Sequence, residues 1–150
     1  MMIGLLTVFV FLHQQTFAKI YIMRKSAVAL IYHKESDSFL TDVILGVSRK
    51  YDHNNMGLVG GKVEEGESFE ECVRREVKEE TGLTVTSCKE IFERNCIYKD
   101  EDMVGKTFLC EVEGEIHTDE PHVVKWVGWT DLFEGSFGEY NKALFNHLNK

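Results

Sequence analysis

Glu76, Glu79 and Glu80 lie three and four residues apart, the separation at which side chains on one helix become neighbours. Three carboxylates held that close repel one another. Any of them turned toward an apolar core carries a desolvation cost unless a partner compensates it. No run of lysines or arginines shares their face, so a hard divalent cation is the economical partner. Mg2+ or Mn2+ takes oxygen ligands, keeps several waters and bridges carboxylates to phosphate oxygens. The plain alternative is an acidic helix face in solvent.

The helix that must carry them has legible ends. Ser68-Phe69-Glu70-Glu71 reads as a capping box, with the serine oxygen accepting a first-turn N–H and Glu71 reaching back. Gly82 follows Thr81 as the left-handed residue that closes a helix. Between them Phe69, Cys72, Val73 and Val77 form one apolar stripe. At about 100° per residue, Glu76 falls on that stripe, Glu80 falls beside Phe69 and Val73, and Glu79 borders it. The reading therefore turns all three away from solvent. Glu70, Glu71, Arg74, Arg75 and Lys78 form the opposite face, with Glu70–Arg74 and Glu71–Arg75 at the favourable four-residue spacing.

Gly61, Glu67, Arg75-Glu76-Val77, Glu79-Glu80 and Gly82-Leu83 match every fixed position of the Nudix box, so the segment resembles the signature of the MutT-like pyrophosphohydrolases. Nine specified positions over twenty-three residues make a specific signal. The resemblance implies an α+β fold, an α/β/α sandwich with a mixed central sheet. It also implies a Mg2+- or Mn2+-dependent hydrolase of a nucleoside diphosphate linked to another moiety. Glu76, Glu79 and Glu80 become metal-ligand carboxylates, with the backbone carbonyl of Gly60 or Gly61 as a further ligand. Glu67 and Arg75 take a supporting role as a pair that braces the loop against the helix. Glu120, just before a late strand, is the candidate for an extra catalytic and metal-binding glutamate from outside the box; the alternative is an ordinary turn residue before Pro121. Glu79, Glu80 and Glu120 all remain open as the base that takes a proton from the attacking water. Many relatives are dimers, which leaves a homodimer open. A non-catalytic Nudix-fold module binding a nucleotide or a protein is the second reading.

Composition is consistent with this and narrows it. The chain has 150 residues and a formal net charge of −8, enough for one core without disulfides and too acidic for a binder of nucleic-acid backbones. A small-molecule nucleotide is the expected partner, without nucleic acid or membrane. Cys72, Cys88, Cys96 and Cys110 show neither C-x-x-C nor zinc-site spacing and read as buried thiols of a reducing compartment, so a cytoplasmic location is expected. Residues 1–22 form an N-terminal extension whose apolar run, Ile3 to Leu12, is too short to span a bilayer. It resembles a signal-peptide core without the preceding basic residues, and Met23 offers an alternative start. Residues 23–150 are read as the domain.

Within the domain, Ser26 to His33 and Asp42 to Ser48 read as strands around a Lys34–Ser38 turn. One or two strands lie within Thr84 to Tyr98, another spans Thr107 to Val112, and the last covers Val123 to Trp129. A closing helix spans Gly138 to Leu148, with Ala143, Leu144, His147 and Leu148 on one face. Arg49 to Asn55 reads as a polar loop in which Arg49 and Lys50 either hold substrate phosphates or are surface charges. Trp126 and Trp129 either stack on a base or belong to the core.

Overall fold

A computed structural model describes residues 23–33 and 43–150. The N-terminal extension and the Lys34–Ser38 turn lie outside them. Six strands form one sheet: β1 (Arg24–Leu30), β2 (Ile44–Arg49), β3 (Asp52–Lys62), β4 (Thr84–Tyr98), β5 (Glu101–Glu113) and β6 (Val124–Val127). Their order is β4-β5-β1-β3-β2-β6. The sheet is mixed, because β1 runs parallel to β5 while its other neighbour β3 and the remaining pairs are antiparallel.

Short apolar strands with both faces covered need helices on each side. Helix α1 (Phe69–Thr81) packs on one face, where Cys72, Val73 and Val77 meet Ala27, Ala29, Leu45, Val47 and Val59. Helices α2 (Trp129–Glu134) and α3 (Gly138–Leu148) lie on the other, where Leu132 and Leu144 meet Leu30, Ile44, Met56 and Leu58. Alternation along β1 and β2 sends neighbouring residues to opposite cores. This is the expected α/β/α sandwich. No helix among the described residues is long and apolar enough to cross a membrane.

Helix α1 has the ends its sequence implies. Ser68 Oγ accepts the Glu71 N–H at 3.0 Å, and Gly82 closes the helix at φ 79°. Other expectations change. Asp52 to Asn55 are poor strand formers, yet they open β3: Asp52 pairs with Arg49 across a tight turn at Lys50-Tyr51 and the ladder resumes at Met56 opposite Ser48, so the loop is a bulged hairpin. Cross-strand partners outweigh local propensity there. Trp129 begins α2 instead of ending the last strand, because the Asp131 carboxylate accepts the Gly128 N–H at 3.1 Å and starts a turn. On α3 the buried residues are Gly138, Tyr140, Asn141 and Leu144, whereas His147 and Leu148 are exposed. Tyr140 and Asn141 tolerate burial because each has a partner, the Thr107 hydroxyl at 2.8 Å and the Leu132 carbonyl at 3.2 Å.

The β1–β3 ladder depends on a close approach at Gly60. A side-chain Cβ there would stand 2.2 Å from the Ala27 carbonyl oxygen and 2.7 Å from the Val28 Cα, both main-chain atoms with nowhere to move. Gly60→Ala is expected to lower unfolding free energy by at least about 2 kcal/mol, read as the shift in urea midpoint at constant m-value. A change within error would mean that the two strands separate freely.

Candidate functional site

Strand β3 ends in Gly60-Gly61-Lys62, and α1 lies across that end. At that end Glu76 and Glu80 therefore meet main chain. The Gly60 N–H donates to Glu80 Oε1 at 2.8 Å. At Gly61 the space a Cβ would take is filled by the Glu76 carboxylate, whose Oε1 lies 2.5 Å from that position. The two glycines are thus the surface on which two of the predicted glutamates rest.

Burial raises the proton affinity of both. Glu80 is pushed up to about 8, chiefly by desolvation, with the Gly60 N–H pulling the other way and the charges of Glu76, Glu120 and Glu79 adding to the rise. Glu76 is raised for the same leading reason and held back by Arg75. Glu79 differs: half of its side chain is exposed, so only two of the three carboxylates turn inward.

Arg75 corrects the sequence reading more sharply. It does not stand on the solvent face beside Glu71. It curls over the start of the helix, giving Glu67 two hydrogen bonds, Nε to Oε2 at 2.7 Å and Nη2 to Oε1 at 3.0 Å. Its Nη1 also reaches Glu76 Oε1 at 2.8 Å and Glu79 Oε2 at 3.1 Å, while Nη2 reaches the Lys62 carbonyl at 3.2 Å. The paired guanidinium holds Glu67 down at about 2. A cation on the same face therefore does exist, and it neutralises part of the cluster. A helical-wheel angle placed its Cα on the outer face, but a long side chain can wrap to a neighbour behind it.

Glu120 belongs to this neighbourhood through His122. The ring of His122 stands 3.2 Å from Glu120 Oε2 through Nδ1 and 2.7 Å from the Glu80 carbonyl through Nε2. His122 is almost fully buried, which ties the loop before β6 to the end of α1. The sequence reading missed this residue, since a lone histidine in an apolar run carries no sign of a partner forty-two positions away.

These elements wall a cleft of about 860 Å3 lined by Arg49, Lys50, Gly60, Glu80, Glu120 and His122. A smaller cavity of about 230 Å3 adjoins it, lined by Gly61, Lys62, Tyr98, Tyr140 and Asn141, and Arg49, Gly60 and Phe137 border both. The structure thus brings Arg49, Lys50, Gly60, Glu80 and Glu120 to one cavity. Glu76 lies against Gly61 at its side, and Glu67, Arg75 and Glu79 lie beyond it. Trp126 packs edge-on to His33, with ring centroids 4.6 Å apart, and Trp129 packs on Phe133 and Phe145; neither lines the cleft.

The donor set suits a hard divalent cation, since every candidate ligand atom is a carboxylate or carbonyl oxygen. In the present arrangement no three acidic or histidine side chains among the described residues converge closely enough to enclose an ion. Arg75 occupies Glu76 and Glu79 instead. The residues fit the ion by the chemistry of their oxygen donors, and Arg75 engages one carboxylate oxygen of each of Glu76 and Glu79.

A family model described as NUDIX domain matches residues 23–147. The curated relatives include proteins described as NAD-capped RNA hydrolase NudC. The one from Haemophilus influenzae strain PittGG is 33% identical over 107 residues, 69% of this chain and 36% of that protein. The one from Mannheimia succiniciproducens is 39% identical over 78 residues, 50% of this chain and 28% of that protein. The matched segment spans about a third of these relatives' own length. Among solved structures, a MutT NUDIX hydrolase from Burkholderia pseudomallei is 28% identical with a TM-score of 0.60, covering 73% of this chain and 85% of that one. A MutT protein from Methanosarcina mazei Go1, 22% identical with a TM-score of 0.64 and covering 85% and 96%, shares the fold.

Burial of Glu80 has a consequence for stability without metal. The folded chain keeps its proton up to about pH 8, whereas the unfolded chain loses it near 4.5. Between those values the folded state binds more protons, so this contribution is complete below the lower one and is lost as pH rises through the higher. With EDTA present, urea unfolding should show a loss on the order of 3 kcal/mol from about pH 5 to pH 8.5 attributable to this group. Glu80→Gln should flatten that slope; an unchanged slope in the variant would assign it elsewhere.

Proposed function

The chain belongs to the Nudix family, and from that premise we propose that it hydrolyses the phosphoanhydride bond of a nucleoside diphosphate linked to a second moiety. One observation carries the reading: inward-turned Glu76 and Glu80 rest against the Gly60-Gly61 backbone beside a cleft that also holds Arg49, Lys50 and Glu120.

Nudix hydrolases generally need a divalent metal. Here Glu76, Glu79, Glu80, Glu120 and a carbonyl of Gly60 or Gly61 would hold Mg2+ or Mn2+. When bound, such an ion neutralises pyrophosphate oxygens and lowers the barrier to attack at phosphorus. The chain's own groups do the rest. Arg49 and Lys50, at the β2–β3 turn, hold phosphate oxygens of the substrate. Water attacks phosphorus, the bond to the bridging oxygen breaks, and a glutamate accepts the water proton. Glu80 and Glu120 line the cleft, whereas Glu79 is half-exposed and meets Arg75, which favours the first two as the base. Glu67 and Arg75 brace the loop before α1.

The substrate class follows from the cleft and the relatives together. Oxidised nucleoside triphosphates such as 8-oxo-dGTP, ADP-ribose and nucleotide sugars all present the required linkage. So does NAD, whose two nucleotides share a diphosphate, and the curated relatives' description brings it into the same set. A net charge of −8 favours the small molecule over an RNA chain. The second reading, a binding module without catalysis, gains from one contact: Arg75 already neutralises Glu76 and Glu79, so the fold does not itself demand an ion.

The test is phosphate-product release with Mg2+ or with EDTA from 8-oxo-dGTP, dGTP, ADP-ribose, UDP-glucose, NAD and a dinucleoside tetraphosphate. Cleavage that EDTA abolishes is expected for one class. Glu76→Gln and Glu80→Gln should each lower kcat by about 10^2- to 10^4-fold, with far-UV circular dichroism unchanged. Turnover in either variant near that of the wild type would remove its glutamate from the chemistry, and binding without cleavage would favour the module.

A further inference from the structure

The tip of the β4–β5 hairpin reaches the smaller cavity from the far edge of the sheet. Lys99 and Asp100 form its turn with positive φ of 51° and 62°, a tight reversal that sets which strand-end residue faces inward. The inward one is Tyr98, half-buried, while its neighbour Ile97 is left 75% exposed. An aromatic kept inside while an isoleucine faces water indicates a specific contact and not generic burial.

The Tyr98 ring lies on the Phe137 ring, centroids 4.9 Å apart and planes 29° from parallel. Phe137 in turn is mounted rigidly. Asn55 on β3 grips the preceding residue twice, Nδ2 to Ser136 Oγ at 2.6 Å and Ser136 N–H to Oδ1 at 2.9 Å. Gly135 sits so close to β3 that a Cβ would stand 2.1 Å from the Met56 carbonyl oxygen. On this mount the Tyr98 hydroxyl accepts a hydrogen bond from Arg49 Nη2 at 3.3 Å. Arg49 and Phe137 border both cavities, and Tyr98 lines the smaller one.

We propose that Tyr98, stacked on Phe137, is a positioning residue that holds the Arg49 guanidinium at the boundary between the two cavities to receive a phosphate group of the nucleotide substrate. Arginine has several free rotamers, and fixing one end before the ligand arrives reduces the ordering cost of binding. The hydroxyl acts only through Arg49, and the ring supplies the mount. The inference rests on the nucleotide-binding part of the proposed function and not on catalysis.

The test is calorimetric titration of α,β-methylene ADP, whose bridge resists hydrolysis, with Mg2+ into wild type, Tyr98→Phe, Arg49→Ala and the double variant. Tyr98→Phe keeps the stack and loses one hydrogen bond, so its Kd should rise roughly 2- to 10-fold with an unchanged unfolding midpoint. Added to Arg49→Ala, the same substitution should change Kd less than about 2-fold, since coupled residues are not additive. For a hydrolysed substrate, Tyr98→Phe should raise KM and leave kcat unchanged. A Tyr98→Phe Kd equal to that of wild type, an undiminished effect in the Arg49→Ala background, or no wild-type binding at 1 mM analogue overturns the proposal. Coupled binding with no cleavage of any phosphoanhydride would sustain it while removing the hydrolase reading.

Discussion

Two main-chain surfaces meet at Gly60 and Gly61, and the rest of the site is built around that contact. On one side, Gly60 has no room for a Cβ because β1 lies against it. On the other, the helix brings carboxylates where side chains would otherwise stand, with Glu80 on the Gly60 N–H and Glu76 over Gly61. A strand end normally presents side chains to a crossing helix. Here the packing distance is short enough for ionisable groups to replace apolar ones, and their desolvation follows directly. The caps at Ser68 and Gly82 matter for the same reason, since a shift of one residue in α1 would rotate Glu76 and Glu80 by about 100° and put them in solvent or in the core.

Charge balance explains how such a cluster survives folding. The Arg75 guanidinium meets Glu67, Glu76 and Glu79 at once, and bidentate geometry toward Glu67 fixes the plane from which the other bonds are made. Glu80 has no guanidinium within this network and meets one N–H instead, and burial pushes its carboxyl up to about 8. The acidic wall is thus divided into a part that is compensated internally and a part that is not. The uncompensated part faces the cleft.

How far this could be read beforehand depends on the range of the determining contacts. Helix α1, its two ends and its apolar stripe are local, set by neighbours within four residues, and the sequence states them. The sandwich follows from strand and helix order together with the family resemblance. Where a distant partner decides, reading fails. Asp52 to Asn55 join β3 because Asp52 pairs with Arg49 and Met56 with Ser48 on either side of a bulge, and the buried face of α3 is chosen by Thr107 and Leu132, which satisfy Tyr140 and Asn141. His122 and Tyr98 look unremarkable in the sequence because their partners, Glu80 and Arg49, lie forty-two and forty-nine positions away. Arg75 fails for a different reason: helical phase describes Cα positions, and a guanidinium at the end of a flexible stem can leave its own face.

An acidic chain that handles a polyanion must arrange its few cations carefully. Arg49 ends β2 and Lys50 follows it in the turn, and both line the same cleft as Glu80 and Glu120. Charges of unlike sign in one cleft orient a ligand whose charge is concentrated in its middle, because the phosphates are drawn to the cations and repelled by the carboxylates. The repelling carboxylates include Glu80, which is already desolvated by burial. Approach of a pyrophosphate would raise the proton affinity of Glu80 further, by the same Coulomb effect that the neighbouring glutamates already exert. Without a countercharge, ligand binding and ionisation of Glu80 therefore oppose each other. On the proposed reading a divalent cation relieves both at the same place, which is the physical reason that the cleft's acidic wall and a phosphate-bearing substrate belong to one site.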